Sequence, residues 1–391
     1  MFCNYCGAPN PDDASFCSTC GRASARSSAN VAPREEVAQK LAPTSSQGAA
    51  PVAAKERDSQ VSASAERVRT FSTGHTLHIR SLAFSLDGRW LASGSSDKTA
   101  KLWDVRDGRE VRTFTGRLMF NCVEFSPDGR RLVLAGCDEK LISNAIMLWD
   151  SATPNELRNF VGHQGQVFFV KFSPDGRWLA STDGRALINL WDVTSGRIIK
   201  VFKHGRISSK LLSGTGGSSL AFSPDGRFLA TRASPATLWD LSSGKEVRTF
   251  GPEPFSDAVS MFLGFTPDGR SLVQARGDGS IKIWDVPSGK EARCLADPPE
   301  KSGVTFGVYC AALSPDGSLL AVSSWSSAAE TSEIALWDIP AGRIRGRVTV
   351  SDCPALAFSP DGQWLAAGEG EHATVKIRLW MISALKDFLL E

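Results

Sequence analysis

SPDGRWLASTDGRALINLWD, residues 173–192, decides the fold. Proline presets φ for the first central position of a tight turn, aspartate can cap it locally, and glycine takes the left-handed position. A short apolar run and Leu-Trp-Asp follow, and the chain spells nearly this sentence seven times. The tetrapeptides begin at Ser85 (with Leu86 in the proline position), Ser126, Ser173, Ser223, Thr266, Ser314 and Ser359, spaced 41 to 50 residues apart. Each is followed by one of Trp103, Trp149, Trp191, Trp239, Trp284, Trp337 and Trp380, and six of these seven precede aspartate. A recurring unit of that length means a repeat architecture whose copies pool their cores. The 391 residues therefore need not divide into two or three ordinary domains.

Each unit opens with the period-2 alternation of a half-buried strand. Leu82/Phe84, Val123/Phe125, Val170/Phe172, Leu220/Phe222, Leu263/Phe265, Ala311/Leu313 and Leu356/Phe358 stand three and one residues before the turn. A second strand follows the turn, as at Trp90-Leu91-Ala92, and a third ends in Trp-Asp. A glycine turn (Gly108, Gly196, Gly244, Gly289, Gly342) then leads to a fourth strand such as Glu246–Phe250. Four antiparallel strands per unit make one small twisted sheet. Seven sheets set radially around an axis manage their strand edges by closing into a β-propeller.

Ser-Pro-Asp-Gly combined with Trp-Asp over about residues 66–382 resembles the WD-repeat family, and Gly74-His75 and Gly162-His163 match its Gly-His pair. The resemblance implies an all-β, seven-bladed propeller. It also implies a linked histidine, serine, turn aspartate and tryptophan, which only the first unit carries at matching spacing, as His75, Ser93, Asp97 and Trp103. The fifth unit keeps Asp278 without a histidine, and the fourth has no aspartate in its second turn. After Trp380 there is only MISALKDFLLE, read as a short C-terminal helix over 383–391. The missing fourth strand is expected at the other end, where ERVRTF at Glu66–Phe71 matches EVRTF at 110–114 and 246–250.

Residues 1–21 hold two Cys-x-x-Cys-Gly knuckles, Cys3/Cys6 and Cys17/Cys20, ten residues apart. Two such knuckles supply the four soft ligands of one closed, structural tetrahedral Zn²⁺ site, and the glycines permit the turns. So short a segment must draw its folding free energy from the metal, roughly 10–16 kcal/mol. It resembles the short zinc-ribbon modules at the N-termini of many bacterial proteins. A redox dithiol would need a neighbouring βαβ pattern, which is absent. Its only charges are Asp12 and Asp13, with no Lys or Arg before Arg22, so it is poorly equipped for phosphates. Residues 22–65, rich in Ala, Ser and Pro without an aromatic, read as a flexible tether.

A net charge of +2 argues against commitment to nucleic acid or an anionic membrane. No apolar run approaches the roughly 18–20 residues of a membrane span, and the first residues do not read as a secretory signal. The five scattered cysteines fit a reducing, cytoplasmic setting. There is no Gly-x-Ser-x-Gly elbow, phosphate loop or His-Glu-x-x-His pair, so no catalytic residue or small-molecule substrate is assigned. On the family's layout the turns within Ser-Pro-Asp-Gly and after Trp-Asp share one face. The other face varies in length, with insertions at Lys203–Ser219, Leu295–Val308, Gly136–Ala145 and Ser323–Glu333. Binding groups favour variable loops on a rigid scaffold, and aromatics and arginines anchor interfaces. Arg117, Phe120, His163, Arg206, Lys210, Phe255 and Trp325 are accordingly the candidates for contact with a protein partner. The expected function is a non-enzymatic interaction scaffold, with the ribbon as a second docking module. The alternatives are an enzyme working at the channel mouth, and a nucleic-acid-associated protein acting through the ribbon.

Overall fold

The computed structural model describes residues 67–383 apart from 139–143, 154, 184–186, 204–219, 232–234, 252–259, 297–305, 327–330 and 371–373. The chain divides into two units, Met1–Ala54 and Lys55–Glu391, and every described residue belongs to the second. The four N-terminal cysteines, the 22–65 tether, Arg206, Lys210, Phe255 and all but the first residue of the 383–391 segment lie outside the described residues.

The second unit is a seven-bladed propeller of four-stranded antiparallel sheets. The first blade is β2 (Ile79–Phe84), β3 (Trp90–Ser95), β4 (Thr99–Asp104) and β5 (Glu110–Thr115). The second is β6 (Met119–Phe125), β7 (Arg131–Cys137), β8 (Asn144–Asp150) and β9 (Glu156–Phe160). The third is β10 (Val167–Phe172), β11 (Trp178–Asp183), β12 (Leu187–Asp192) and β13 (Ile198–Lys203). The fourth is β14 (Leu220–Phe222), β15 (Phe228–Thr231), β16 (Ala236–Asp240) and β17 (Glu246–Phe250). The fifth is β18 (Ser260–Phe265), β19 (Ser271–Arg276), β20 (Ile281–Asp285) and β21 (Glu291–Ala296). The sixth is β22 (Phe306–Leu313), β23 (Leu319–Ser326), β24 (Thr331–Asp338) and β25 (Arg343–Val350). In the seventh, β26 (Ala355–Phe358), β27 (Trp364–Glu369) and β28 (Lys376–Met381) are joined by β1 (Val68–Ser72). Val68 lies opposite Trp380 and Phe71 opposite Ile377.

Local chemistry builds each turn in the same way. Ser85 Oγ donates to Asp87 Oδ1 (2.5 Å) and accepts from the Trp90 N–H (2.9 Å), while the Gly88 N–H donates to Ser85 O (2.9 Å). Gly88 has φ +67°, a conformation a side chain would strain. After Trp-Asp, Gly108 (φ +69°) donates to Asp104 O at 2.8 Å. That turn forces a register shift beside the tryptophan, between Leu102 and Trp103, and the shift recurs at this place in all six blades with a third-to-fourth-strand hairpin. The pairing of β1 with β28 has no hairpin and runs without a shift.

The core lies in the seams between blades. One hydrophobic cluster spans each seam, including the seam from the seventh blade to the first, where Phe71, Ile377 and Leu379 meet Ile79, Leu91 and Trp103. A fourth-strand phenylalanine packs on the next blade's tryptophan at Phe71–Trp103 (6.4 Å), Phe114–Trp149 (5.3 Å), Phe160–Trp191 (5.6 Å), Phe202–Trp239 (5.3 Å) and Phe250–Trp284 (6.1 Å).

Two residues earlier, a cation reaches the carbonyls of the next blade's turn after its third strand. Arg112 donates to Ser151 O and Ala152 O (both 2.7 Å), Arg158 to Ser195 O (2.9 Å) and Thr194 O (2.6 Å), and Lys200 to Leu241 O (2.7 Å) and Ser242 O (2.6 Å). Arg293 repeats this on Ile339 O and Pro340 O, and Arg69 donates to Val105 O (3.1 Å). The corresponding position of β25 is Gly346, and the blade it faces is closed by β1 and has no such turn to receive a cation. Arg158→Ala is expected to cost about 1 kcal/mol for the lost charged hydrogen bonds, read as a lower urea midpoint. Arg109→Ala, at an exposed pair 3.9 Å from Asp107, is expected to leave the midpoint unchanged.

Two of the expected insertions are partly strand. The sixth blade's central hairpin lengthens, so that β23 runs to Ser326 and β24 starts at Thr331, and Trp325 pairs with Gly307 and Ser332. Likewise β7 continues through Cys137 and β8 begins at Asn144.

Candidate functional site

The two faces of the propeller differ in how their polar groups are used. On the turn face, the aspartates of the tetrapeptides are occupied: Asp87, for example, accepts from Ser85 Oγ and from the Arg89 N–H (3.0 Å). Asp104 is likewise engaged, and a hydrogen bond from Arg106 helps push its carboxyl down to about 2. The opposite face carries the connections between blades and the turns between second and third strands, and it is the candidate working face.

Among the sequence candidates there, Arg117 is exposed, in the connection from β5 to β6, and Trp325 is half-buried on β23. They lie on different blades and are not brought together. Phe120 is corrected from a contact residue to a core residue. It is 1% exposed and packs in the first-to-second seam against Leu102 and Phe114, because β6 already starts at Met119.

His163 is also internal, with its side chain 1% exposed. Its Nδ1 lies 3.0 Å from Asp183 Oδ2 and its Nε2 2.6 Å from Ser181 Oγ, which accepts from Trp191 Nε1 at 2.7 Å. The third blade therefore has the full linked set that the sequence assigns to the first blade alone. Its aspartate comes two residues after the serine instead of four. In the first blade, His75 lies 2.9 Å from both Asp97 and Ser93, and Trp103 Nε1 donates to Ser93 Oγ at 2.9 Å. Burial works against charge on Asp97, but hydrogen bonds from His75 and Thr99 hold its carboxyl well below the usual range. The fourth blade substitutes Thr231 Oγ1 and the fifth Gln274 Oε1 as indole acceptors, each at 2.9 Å. The second blade has Leu134 at that position, and Trp149 Nε1 is buried without a hydrogen-bond partner. These groups hold the blades together and are not a reactive site.

The central channel encloses about 590 Å³ and is lined by the innermost strands. Two residues before each turn stand Ala83, Glu124, Lys171, Ala221, Gly264, Ala312 and Ala357, so this level is small-walled except for one ion pair. Glu124 and Lys171 are 2.9 Å apart, and burial raises the Glu124 carboxyl while Lys171 opposes that shift.

Toward the working face the lining includes Arg80 and Asn121, and further polar groups gather around them. Arg80 Nε donates to Ser96 Oγ at 2.5 Å, and Asn121 Nδ2 donates to Val167 O at 3.0 Å. Cys137 Sγ accepts from Gln166 Nε2 at 2.7 Å and from Asn121 Nδ2 at 3.7 Å. His78 Nδ1 lies 3.1 Å from Asp352 Oδ2, out of hydrogen-bond alignment. These residues come from blades seven, one, two and three. Sequence reasoning missed the cluster because, Cys137 apart, none of it stands on a long insertion. The available signal was an arginine in the alternating stretch of an innermost strand. Among the described residues no group of three or more His, Cys, Asp or Glu could hold a metal, and no helix is long and apolar enough to cross a membrane.

Comparison with known proteins agrees with this architecture. The family described as WD domain, G-beta repeat matches residues 65–104, 108–150, 154–192, 244–285, 299–338 and 347–378, together more than half of the chain. The unmatched interval contains most of the fourth blade, whose first three strands are short and whose central turn lacks the aspartate. The zinc-ribbon domain family matches residues 2–23. Protein tipD of Dictyostelium discoideum is 26% identical over 273 residues, covering 69% of this chain and 41% of that protein. Small ribosomal subunit protein RACK1 of Caenorhabditis elegans is 32% identical over 267 residues, covering 54% and 77%. The guanine nucleotide-binding protein subunit beta of Nicotiana plumbaginifolia is 29% identical over 223 residues, covering 54% and 57%. The chain thus spans less than half the length of tipD and more than three quarters of the ribosomal protein.

Proposed function

The chain belongs to the WD-repeat family, and from that premise we propose that it is a non-enzymatic protein-interaction scaffold whose docking face is the one carrying the inter-blade connections. The observation that carries this reading is the asymmetry of the two faces. Turn geometry occupies the aspartates of one face, whereas the other gathers polar side chains from four blades around an open channel mouth. Relatives named as a ribosomal-subunit protein and as a subunit of a guanine nucleotide-binding protein are, by their names, parts of assemblies. Against a catalytic channel stands the chemistry of the thiol that lines it: Cys122 is buried and burial pushes its pKa up to about 11, so it is no activated nucleophile. The four buried cysteines and the half-buried Cys294 form no disulfide among the described residues, which suits a reducing compartment such as the cytoplasm.

In this reading Cys3, Cys6, Cys17 and Cys20 hold one structural Zn²⁺, and the ribbon is a second docking module whose tether supplies effective concentration. The donor set fits: four thiolates in two knuckles fill a tetrahedral site and leave no open position for catalysis. Full-length protein purified under reducing conditions is expected to carry one zinc per chain, and Cys3→Ser with Cys17→Ser to carry almost none. A wild-type chain free of zinc contradicts the assignment. For the docking face, Arg117→Glu with Trp325→Ala should abolish capture of the native partners. The pair Arg89→Glu and Arg227→Glu on the turn face should not, and the reverse pattern overturns the reading.

A further inference from the structure

We propose that the channel mouth is a carboxylate receptor: an acidic side chain of the docked protein partner enters it and pairs with Arg80. This rests on the docking-face reading above and supplies its chemistry.

Arg80 is the second residue of β2, at the end of the innermost strand that opens on the working face, and it lines the channel. The other innermost strands carry Asn121, Phe168, Met261, Tyr309 and Pro354 at the corresponding position, so Arg80 is the one charge at this level among the described residues. Its Nε is fixed by Ser96 Oγ at 2.5 Å, which sets the plane of the guanidinium and leaves the two terminal nitrogens for a partner. Among the described residues Arg80 forms no ion pair within 4 Å, although Asp352 is near enough to favour its charge.

A guanidinium that is largely removed from water and lacks a close counter-ion is an unfavourable arrangement unless something supplies the anion. Among the described residues none supplies it within 4 Å: Glu124 is matched by Lys171, and Asp352, 3.1 Å from His78, is near Arg80 without forming an ion pair with it. One planar cation with an open fork matches one carboxylate, bound end-on through two N–H···O bonds. A phosphate or nucleic-acid backbone would call for several basic groups, and the remaining lysine here is already paired. The occupant is therefore an aspartate or glutamate presented by a protein segment.

The test pans a random linear peptide library against the immobilised full-length chain, then measures one enriched peptide by calorimetry. Enriched peptides are expected to share an Asp or Glu, and changing that residue to Asn or Gln should weaken binding at least about tenfold, or 1.4 kcal/mol. Arg80→Gln should weaken binding by a similar factor, and combining both changes should cost little more than either alone. Arg80→Lys, which keeps the charge without the fork, should fall between. Both variants are to be checked for an unchanged thermal midpoint, and if Arg80→Gln lowers it, Arg80→Lys and the peptide change carry the comparison. Peptides without a shared acid, or binding indifferent to Arg80 but lost with Arg117→Glu and Trp325→Ala, overturn the carboxylate receptor and leave the docking face standing. No enrichment at all, or enrichment lost only with the turn-face pair, overturns both.

Discussion

Deleting residues 67–72 is expected to lower the melting temperature by about 10 °C or more and to broaden the transition. The segment closes the ring. Phe71, 4% exposed, packs on Trp103 of the first blade, and Arg69 reaches Val105 O in that blade while stacking on Trp364 in the seventh at 4.5 Å. Burying a phenylalanine contributes roughly 1.5–3 kcal/mol and the arginine bond about 1. The ladder from Val68 to Ser72 is lost as well, leaving β28 an open edge. A total near 5 kcal/mol rivals the net stability of many domains, and each kilocalorie moves the midpoint of a chain this size by about 2–4 °C. Circular dichroism and calorimetry read the result, and an unchanged cooperative midpoint contradicts closure through β1.

The second large effect separates two tryptophans that look alike in sequence. Trp191 is fully buried, donates to Ser181 Oγ at 2.7 Å and packs against Phe160 and His163. Trp191→Ala should cost about 3–5 kcal/mol, and Trp191→Phe about 1–3 by stranding the hydroxyl and imidazole. Trp149 has a buried indole N–H with no hydrogen-bond partner, so Trp149→Phe removes an unsatisfied donor together with some packing. It is expected to cost distinctly less than Trp191→Phe in urea unfolding. Equal losses would show that the linked set adds nothing beyond volume.

The contrast shows which parts of the molecule can be read from the chain. Each turn is legible because a serine, an aspartate and a glycine within four residues complete it by themselves. The EVRTF word is legible as a strand, and its meaning emerges only across the seam: arginine to the next blade's turn, phenylalanine to the next blade's tryptophan. That is why ERVRTF ahead of the first blade can stand as the fourth strand of the last. In the first five blades the residue eight positions after the turn serine or threonine (Ser93, Leu134, Ser181, Thr231, Gln274) decides whether the indole is satisfied, a rule visible in sequence once the geometry is known. The set at His163 escapes pattern matching because Asp183 reaches the same imidazole from a different spacing.

The channel mouth is harder to read. Arg80, Asn121, Cys137 and Asp352 are distributed over 273 positions, and only ring closure brings the last of them beside the first. Long insertions draw attention on the expectation that contacts lie in loops. Here the uncommitted charge stands in a regular strand, and the apparent insertion at Ser323–Glu333 is largely a longer hairpin.

Amine-reactive cross-linking of the full chain with its co-purified protein partners tests the assignment of faces most directly. Lys98, between β3 and β4, and Lys203, at the end of β13, stand on the docking face, whereas Lys245 and Lys290 stand in glycine turns of the opposite face. Partner cross-links are expected at Lys98 and Lys203 and absent at Lys245 and Lys290. Cross-links concentrated at Lys245 and Lys290 would contradict the account.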